Sequence, residues 1–162
     1  MIRILLVIVA AASLAACATT PPNFMTSQAR DGVFVRNVDV TWSAAEAKRV
    51  EKNMQKKSYQ DVQPRLQAAV ATAFKNSPSG SQAIDLKIEI ERYYETSSVQ
   101  ADVSVVRVSD GQVLGVYKNV TGIHAQGGGL LGLVVEAALK TDYLGIIVNS
   151  FSQTMRARFD GV

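Results

Sequence analysis

The chain has 162 residues, with 17 basic and 14 acidic side chains and a formal net charge of +3. This length fits one domain, and so small a charge argues against a nucleic-acid-binding protein. A single cysteine and a single histidine exclude an intrachain disulfide framework and a zinc site built from a Cys and His cluster. A folded domain of this chain must therefore be stabilised by a packed core.

The first seventeen residues carry the sharpest motif of the sequence. Arg3 precedes an uninterrupted apolar run from Ile4 to Ala12, and a short stretch rich in small residues leads to Cys17. A basic start, an apolar core of about 7–15 residues and a small-residue exit are typical of a secretory signal peptide. The sequence therefore predicts export from the cytoplasm.

The end of this segment, Leu14-Ala15-Ala16-Cys17, resembles the lipobox of bacterial lipoproteins. The resemblance implies cleavage before Cys17, with a diacylglycerol on its thiol and an N-acyl chain on the new N-terminus, and no other cofactor. In that family the next residue biases sorting between membranes. Ala18 is not Asp, which implies the inner leaflet of the outer membrane of a Gram-negative cell, facing the periplasm.

Two other interpretations of this segment stay open. Ser13-Leu14-Ala15 and Ala16-Cys17-Ala18 each fit a small-x-small cleavage site, so simple secretion is one alternative. A transmembrane anchor is the other, although a span needs roughly 20 apolar residues and this run is shorter.

The expected organisation has three parts. Residues 1–16 are the lipoprotein signal peptide, and their removal would leave 146 residues with a net charge of +2. Residues 17–32 are the lipidated N-terminus and a flexible tether, because Thr19-Thr20-Pro21-Pro22 is polar and Pro-rich. Such a tether reaches at most about 50 Å. Residues 33–162 are expected to form a single domain.

The N-terminal half of the domain predicts one strand and two helices. Alternating apolar residues predict a strand over Val33–Trp42 with a bend near Arg36-Asn37. Ser43 and Glu46 fit a capping box, in which the Glu carboxylate reaches back to the N-cap backbone. A second helix is predicted over Asp61–Asn76, capped by Asp61 and carrying an apolar stripe. Its stripe contains Leu66, Ala69, Val70, Ala73 and Phe74.

The C-terminal half predicts three strands and a helix. The strands cover Ile84–Tyr94, Val99–Val108 and Val113–Ile123, and an Asp-Gly turn joins the last two in an antiparallel meander. A long or broken helix follows from Leu130, with a restart at Thr141-Asp142. Its second part has the stripe Leu144, Ile147, Val148, Phe151, Met155 and Phe159, with Gly161 at the C-cap.

These elements give the order β-α-α-β-β-β-α. Strands with one apolar face and helices with one apolar stripe predict an α+β two-layer sandwich. We expect a roughly four-stranded, mostly antiparallel sheet covered by helices.

The sequence contains no catalytic motif. His124 is the single histidine, so we interpret it as a structural or surface residue. Glu89, Glu91 and Glu95 are predicted to share one strand face, where they would act on glycans only if they entered a cleft. The alternative is that these glutamates have no catalytic role and lie on a solvated face of the sheet. A basic face with Lys48, Lys52 and Lys56 either contacts anionic headgroups or is simply solvated.

The apolar run Leu130–Lys140 is the candidate interaction surface, through Leu130, Leu131, Leu133 and Val134. It either covers the sheet of its own domain, seats a partner helix or lies in a membrane interface. The glycines before it, Gly127-Gly128-Gly129, lack the Lys and Ser or Thr of a phosphate loop.

A signal peptide with a lipobox, a tether and one small α+β domain together resemble the small outer-membrane lipoproteins of the YajG-like kind. The resemblance implies a membrane-anchored, periplasm-facing domain without supplying a substrate. We expect a non-enzymatic structural, assembly or binding partner, working with an envelope protein or as a homo-oligomer. Alternatives are an accessory protein for lipid or lipopolysaccharide transport and, third, an enzyme acting on envelope glycans.

Overall fold

The computed structural model describes residues 25–75, 80–124 and 142–161. These residues form four helices and four strands and confirm the α+β class and the element order. The elements are α1 (Ser27–Asp31), β1 (Val33–Trp42), α2 (Ala44–Glu51), α3 (Lys57–Phe74), β2 (Gln82–Tyr94), β3 (Ser98–Arg107), β4 (Val113–Ile123) and α4 (Tyr143–Asp160).

The four strands form one sheet in the order β1-β2-β3-β4. Strand β1 pairs with β2 in parallel, whereas β2, β3 and β4 pair antiparallel, which confirms the predicted meander. A parallel pair needs a long crossover, and helices α2 and α3 lie in that crossover. The sheet is therefore mixed but mostly antiparallel.

Helices α3 and α4 cover one face of this sheet and bury their apolar stripes against it. Leu66, Val70 and Phe74 of α3 are buried, and so is every residue of the stripe predicted for α4. Ile84, Leu86, Ile88 and Ile90 of β2 face the same core. Lys87 and Glu89 alternate with them and are exposed, so the opposite face of β2 is open to water, as predicted.

Irregularities in β1 and β2 change which of their side chains face the core. The register of β1 shifts between Val35 and Asn37, which confirms the predicted bend. The register of β2 shifts between Ile90 and Arg92, which the sequence pattern did not indicate. An extra residue in a strand reverses the alternation of sides. Tyr93 is therefore fully buried, in ring contact with Trp42 and Tyr59.

Helix α3 begins four residues earlier than predicted. It starts at Lys57, so Asp61 is not its N-cap and Pro64 lies inside the helix. The added first turn buries Tyr59, whose ring packs edge-on against Tyr93 with centroids 5.1 Å apart. This burial extends the apolar stripe backwards and explains why the helix forms before Asp61.

The folded region also begins earlier than the predicted boundary at residue 33. Met25 is only 4% exposed, and its backbone N–H donates to the Tyr117 hydroxyl at 3.4 Å. Thr26 caps α1, and Arg30 Nη1 donates to the Phe159 carbonyl at 2.9 Å. Residues 25–32, which the sequence predicts to be part of the flexible tether, are therefore part of the fold.

The domain has two distinct ends along the strand direction. At one end, here the Met25 end, lie Met25, helix α1 and the last turns of α3 and α4, where Phe74 contacts Phe159. At the other, here the α2 end, lie helix α2, Trp42 and Tyr94. Strand β1 runs from the first end to the second.

Candidate functional surfaces

The sites predicted from the sequence lie outside the described residues. The lipobox Leu14, Ala15 and Ala16, the lipidation site Cys17 and the sorting residue Ala18 precede residue 25. The predicted interaction surface Leu130, Leu131, Leu133 and Val134 falls between residues 124 and 142. These assignments stay predictions.

A polar cleft of about 560 Å³ lies between helix α2 and the open face of the sheet. Charged and amide side chains from four elements converge on it. It is lined by Ala45, Glu46, Arg49, Glu91, Arg92, Gln100, Asp102, Lys118 and Asn119. Among the residues predicted to carry chemistry, only Glu91 lines this polar cleft.

Glu46 forms the centre of the α2 wall, although the capping box is only half formed. The Ser43 hydroxyl accepts from the Glu46 backbone N–H at 3.3 Å, which confirms the N-cap. The Ser43 N–H donates instead to the Ile90 carbonyl at 3.0 Å, so the Glu46 carboxylate does not reach back to it. That carboxylate accepts the Tyr93 backbone N–H at 2.8 Å.

Arg49 neutralises this nearly buried carboxylate. It donates to both Glu46 oxygens and to the Tyr93 carbonyl, and its guanidinium lies 5.8 Å from the centre of the Tyr94 ring. Burial alone would raise the pKa of Glu46. The hydrogen bonds from Arg49 and from the Tyr93 N–H outweigh burial, so the net shift lowers the pKa of Glu46. Glu46 is therefore held as an anion.

The floor of the polar cleft is formed by β3 and β4, whose polar side chains hydrogen-bond to one another. Asp102 accepts Lys118 Nζ at 2.5 Å and the Asn119 N–H at 2.9 Å, and the first of these bonds raises the pKa of Lys118. Asn119 has a positive φ of 53°, which Asn tolerates better than most residues. Gln100 Nε2 donates to Asn119 Oδ1 at 2.6 Å and fixes that side chain.

Two of the three glutamates considered for glycan chemistry share the open face of the sheet, and the third does not. Glu89 is exposed there and Glu91 is half-buried in the polar cleft, and the charges of both help to raise the pKa of Lys118. Glu95 lies in the turn after β2 and accepts from Ser58 Oγ at 2.6 Å and Lys56 Nζ at 3.3 Å. The prediction for Glu95 is wrong because the chain turns after Tyr94 towards the start of α3.

His124 has a structural environment. Its backbone N–H donates to the Ser97 carbonyl at 2.8 Å, and its ring packs edge-on against Tyr143 with centroids 5.1 Å apart. Within the described ranges, no three His, Cys, Asp or Glu residues cluster closely enough to hold a metal ion. In the same ranges no helix is both long and apolar enough to span a bilayer.

Comparisons with known proteins add little. No protein-family model matches the chain, and no curated protein matches it. A crystal structure of a "putative lipoprotein" from Caulobacter crescentus CB15 is similar over 76% of this chain and 88% of that chain. The identity is 7% and the TM-score is 0.35, values too low to support an argument about function. The resemblance to YajG-like lipoproteins stays a prediction.

Proposed function

We propose that the protein is a lipid-anchored envelope protein whose domain serves as a non-enzymatic binding or assembly partner. The lipobox ending at Cys17 supports the anchor, and Ala18 supports placement in the outer membrane, facing the periplasm. The partner is an envelope protein or a second copy of the chain.

The observation that carries a binding role is that four charged side chains of the polar cleft are already paired within the fold. Glu46 is bonded to Arg49, and Asp102 to Lys118. A general acid at neutral pH needs a raised pKa, whereas the pKa of Glu46 is lowered. Fixed charges of both signs give a surface that selects a partner by electrostatic complementarity.

The position of the polar cleft suits this role. Its α2 wall and the adjoining residues Arg92 and Gln100 lie towards the α2 end, away from Met25. An anchor attached ahead of Met25 would leave the polar cleft accessible from the periplasm.

The first experiment tests the anchor. Mass spectrometry of the N-terminal fragment of the mature protein should find diacylglycerol and an N-acyl chain on Cys17. The Cys17→Ser variant should lose both the lipid and membrane association. An unmodified N-terminus at another cleavage site would support simple secretion instead.

The second experiment tests the polar cleft by crosslinking in intact cells. Arg92→Glu reverses an exposed charge in the polar cleft, and Lys87→Glu makes the same type of change on β2 outside it. We expect the wild type and Lys87→Glu to give the same crosslinked complex, and Arg92→Glu to lose most of it. An undiminished complex with Arg92→Glu would show that partners bind elsewhere.

A further inference from the structure

We propose that the Met25 end of the domain rests on the membrane surface and that its basic side chains contact anionic lipid headgroups. This inference depends on the proposed lipid on Cys17. It adds an orientation to the proposed anchor and identifies a membrane-contacting surface in the folded domain.

The first argument is the length of chain between the anchor and the fold. Seven residues, 18–24, separate Cys17 from Met25. At the maximum rise of an extended chain, the Cα atoms of Cys17 and Met25 are at most about 28 Å apart. The fifteen-residue tether expected from sequence would have allowed about 50 Å. The lipid would thus hold the Met25 end close to the bilayer.

The second argument is that the attachment point is fixed to the core. Met25 is buried, and its backbone N–H donates to the hydroxyl of Tyr117. The ring centroids of Tyr117 and Phe159 are 6.3 Å apart. Phe159 in turn contacts Phe74 edge-on, with centroids 5.1 Å apart. Because the chain enters the fold at Met25, inside a packed aromatic cluster, the lipid anchor would restrain the whole domain and not only a mobile terminus.

The third argument is the charge at this end. Three cations lie at this end, in α1 and in the last turns of α3 and α4: Arg30, Lys75 and Arg156. Arg30 donates to the Phe159 carbonyl, a neutral acceptor, so this bond leaves its positive charge in place, whereas Arg158 reaches the carbonyls of Lys118 and Asn119 beside the polar cleft. Two acids lie nearby, Asp31 in α1 and Asp160 at the end of α4, and Asp160 pairs with Arg156. The surplus is positive and complements an anionic surface.

The basic face of α2 offers a comparison, because it has similar charge at the opposite end. Lys48 and Lys52 are exposed there, and Lys56 pairs with Glu95. The ten residues of β1 separate the two ends by about 33 Å. A short tether at Met25 favours the Met25 end for headgroup contact, although both ends carry lysines or arginines.

The orientation can be measured with the full lipidated chain in vesicles. Cys17 is the single cysteine and its thiol would be occupied by lipid, so one engineered cysteine takes a nitroxide label uniquely. Ser27→Cys places the label on exposed α1, and Gln55→Cys places it beside α2. Vesicles of phosphatidylcholine and phosphatidylglycerol would carry a nickel-chelating lipid. We expect at least threefold stronger relaxation at position 27 than at 55. Equal or reversed relaxation would overturn the proposed orientation.

The contribution of charge is tested on the same two labels. Lys75→Glu should reduce the contrast between positions 27 and 55 by at least half, and Lys75→Gln should reduce it by a smaller amount. The matched pair Lys48→Gln with Lys52→Gln should leave it unchanged, and added salt should weaken it in the wild type. A contrast that survives both Lys75 variants and salt would overturn the headgroup contact.

Flotation with neutral phosphatidylcholine vesicles separates this inference from the proposed function. Failure of the wild type to float would reject the lipid anchor and the orientation together. Flotation followed by equal relaxation at positions 27 and 55 would reject the orientation alone.

Discussion

The carboxylate of Glu46 on α2 accepts the backbone N–H of Tyr93 on β2, with an oxygen-to-nitrogen distance of 2.8 Å. The Tyr93 carbonyl accepts from Arg49 of the same helix. Strand β1 ends at Trp42, opposite Ile90, so it has no residue left to pair with Tyr93. Two side chains of α2 therefore satisfy backbone groups that a neighbouring strand would otherwise bond.

Removing the Glu46 carboxylate should destabilise the domain. Glu46→Ala leaves the buried Tyr93 N–H without its acceptor and Arg49 without its partner, and should cost about 3 kcal/mol of unfolding free energy. Glu46→Gln keeps an acceptor and should cost about 1 kcal/mol. Urea denaturation measures both, with exposed Glu51→Gln on the same helix as control. Equal losses for Glu46→Ala and Glu51→Gln would contradict this role.

The ion pair between Glu46 and Arg49 predicts that the free energy of unfolding depends on pH. Because the pKa of Glu46 is lowered in the fold, its ionised form stabilises the domain above the ordinary pKa of about 4.5. That contribution is lost as pH falls through the lower pKa of the folded state. The stability gap between wild type and Glu46→Gln should be full at pH 7 and should shrink below about pH 4.5. Urea midpoints at several pH values test this, and a gap that widens in acid would refute it.

Gly122 should tolerate no side chain. A Cβ there would lie 2.3 Å from the Ile147 carbonyl oxygen and 2.6 Å from the Phe151 Cβ, so α4 could not keep its close approach to β4. We expect Gly122→Ala to cost about 3 kcal/mol. Gly111→Ala is the control, since its Cβ would meet nothing within 4 Å and only the positive φ of 73° opposes it. That variant should cost about 1 kcal/mol. Thermal melts should rank the two, and the reverse order would contradict the packing argument.

Asp142 should act mainly as the N-cap of α4. Its Oδ1 accepts the Gly145 N–H at 3.0 Å, while its carboxylate also pairs with Arg65 of α3, whose hydrogen bond lowers the pKa of Asp142. Asp142→Ala should cost about 1 kcal/mol, and Asp142→Asn less than about 0.5 kcal/mol, because Asn caps as well and the ion pair is exposed. Chemical denaturation distinguishes the two. If Asp142→Ala and Asp142→Asn lose similar amounts of unfolding free energy, the ion pair with Arg65 contributes more to stability than the N-cap does.

Much of the fold was predictable because it follows from local patterns. The alternation of Ile84, Leu86, Ile88 and Ile90 defined a half-buried strand, and the stripe from Leu144 to Phe159 defined α4. Gly161 has the left-handed conformation expected of a C-cap, with φ of 79°. These signals depend on residues within one element, so the sequence displays them directly.

The polar cleft was not predictable in the same way. Glu46 looked like half of a capping box, yet its partner Tyr93 is 47 residues away. The unpredicted shift after Ile90 buries Tyr93 and leaves Arg92 exposed beside α2. The strand pattern likewise predicts the wrong surface for Glu95, since the turn after Tyr94 brings it to Ser58. Each error involves a contact between elements distant in sequence.

By itself, the sequence determined the order of the elements from β1 onwards and most of the residues that face the core, because both are encoded in short-range spacing. It also predicts an export signal with a lipobox at residues 1–17, which stays a prediction. Only the tertiary structure decided that Met25 belongs to the core, that β1 lies parallel to β2, and that α2 supplies the partners of Tyr93. Those features depend on which surfaces meet when the helices pack on the sheet. The free energy of such contacts involves residues far apart in the chain, and no local pattern contains it.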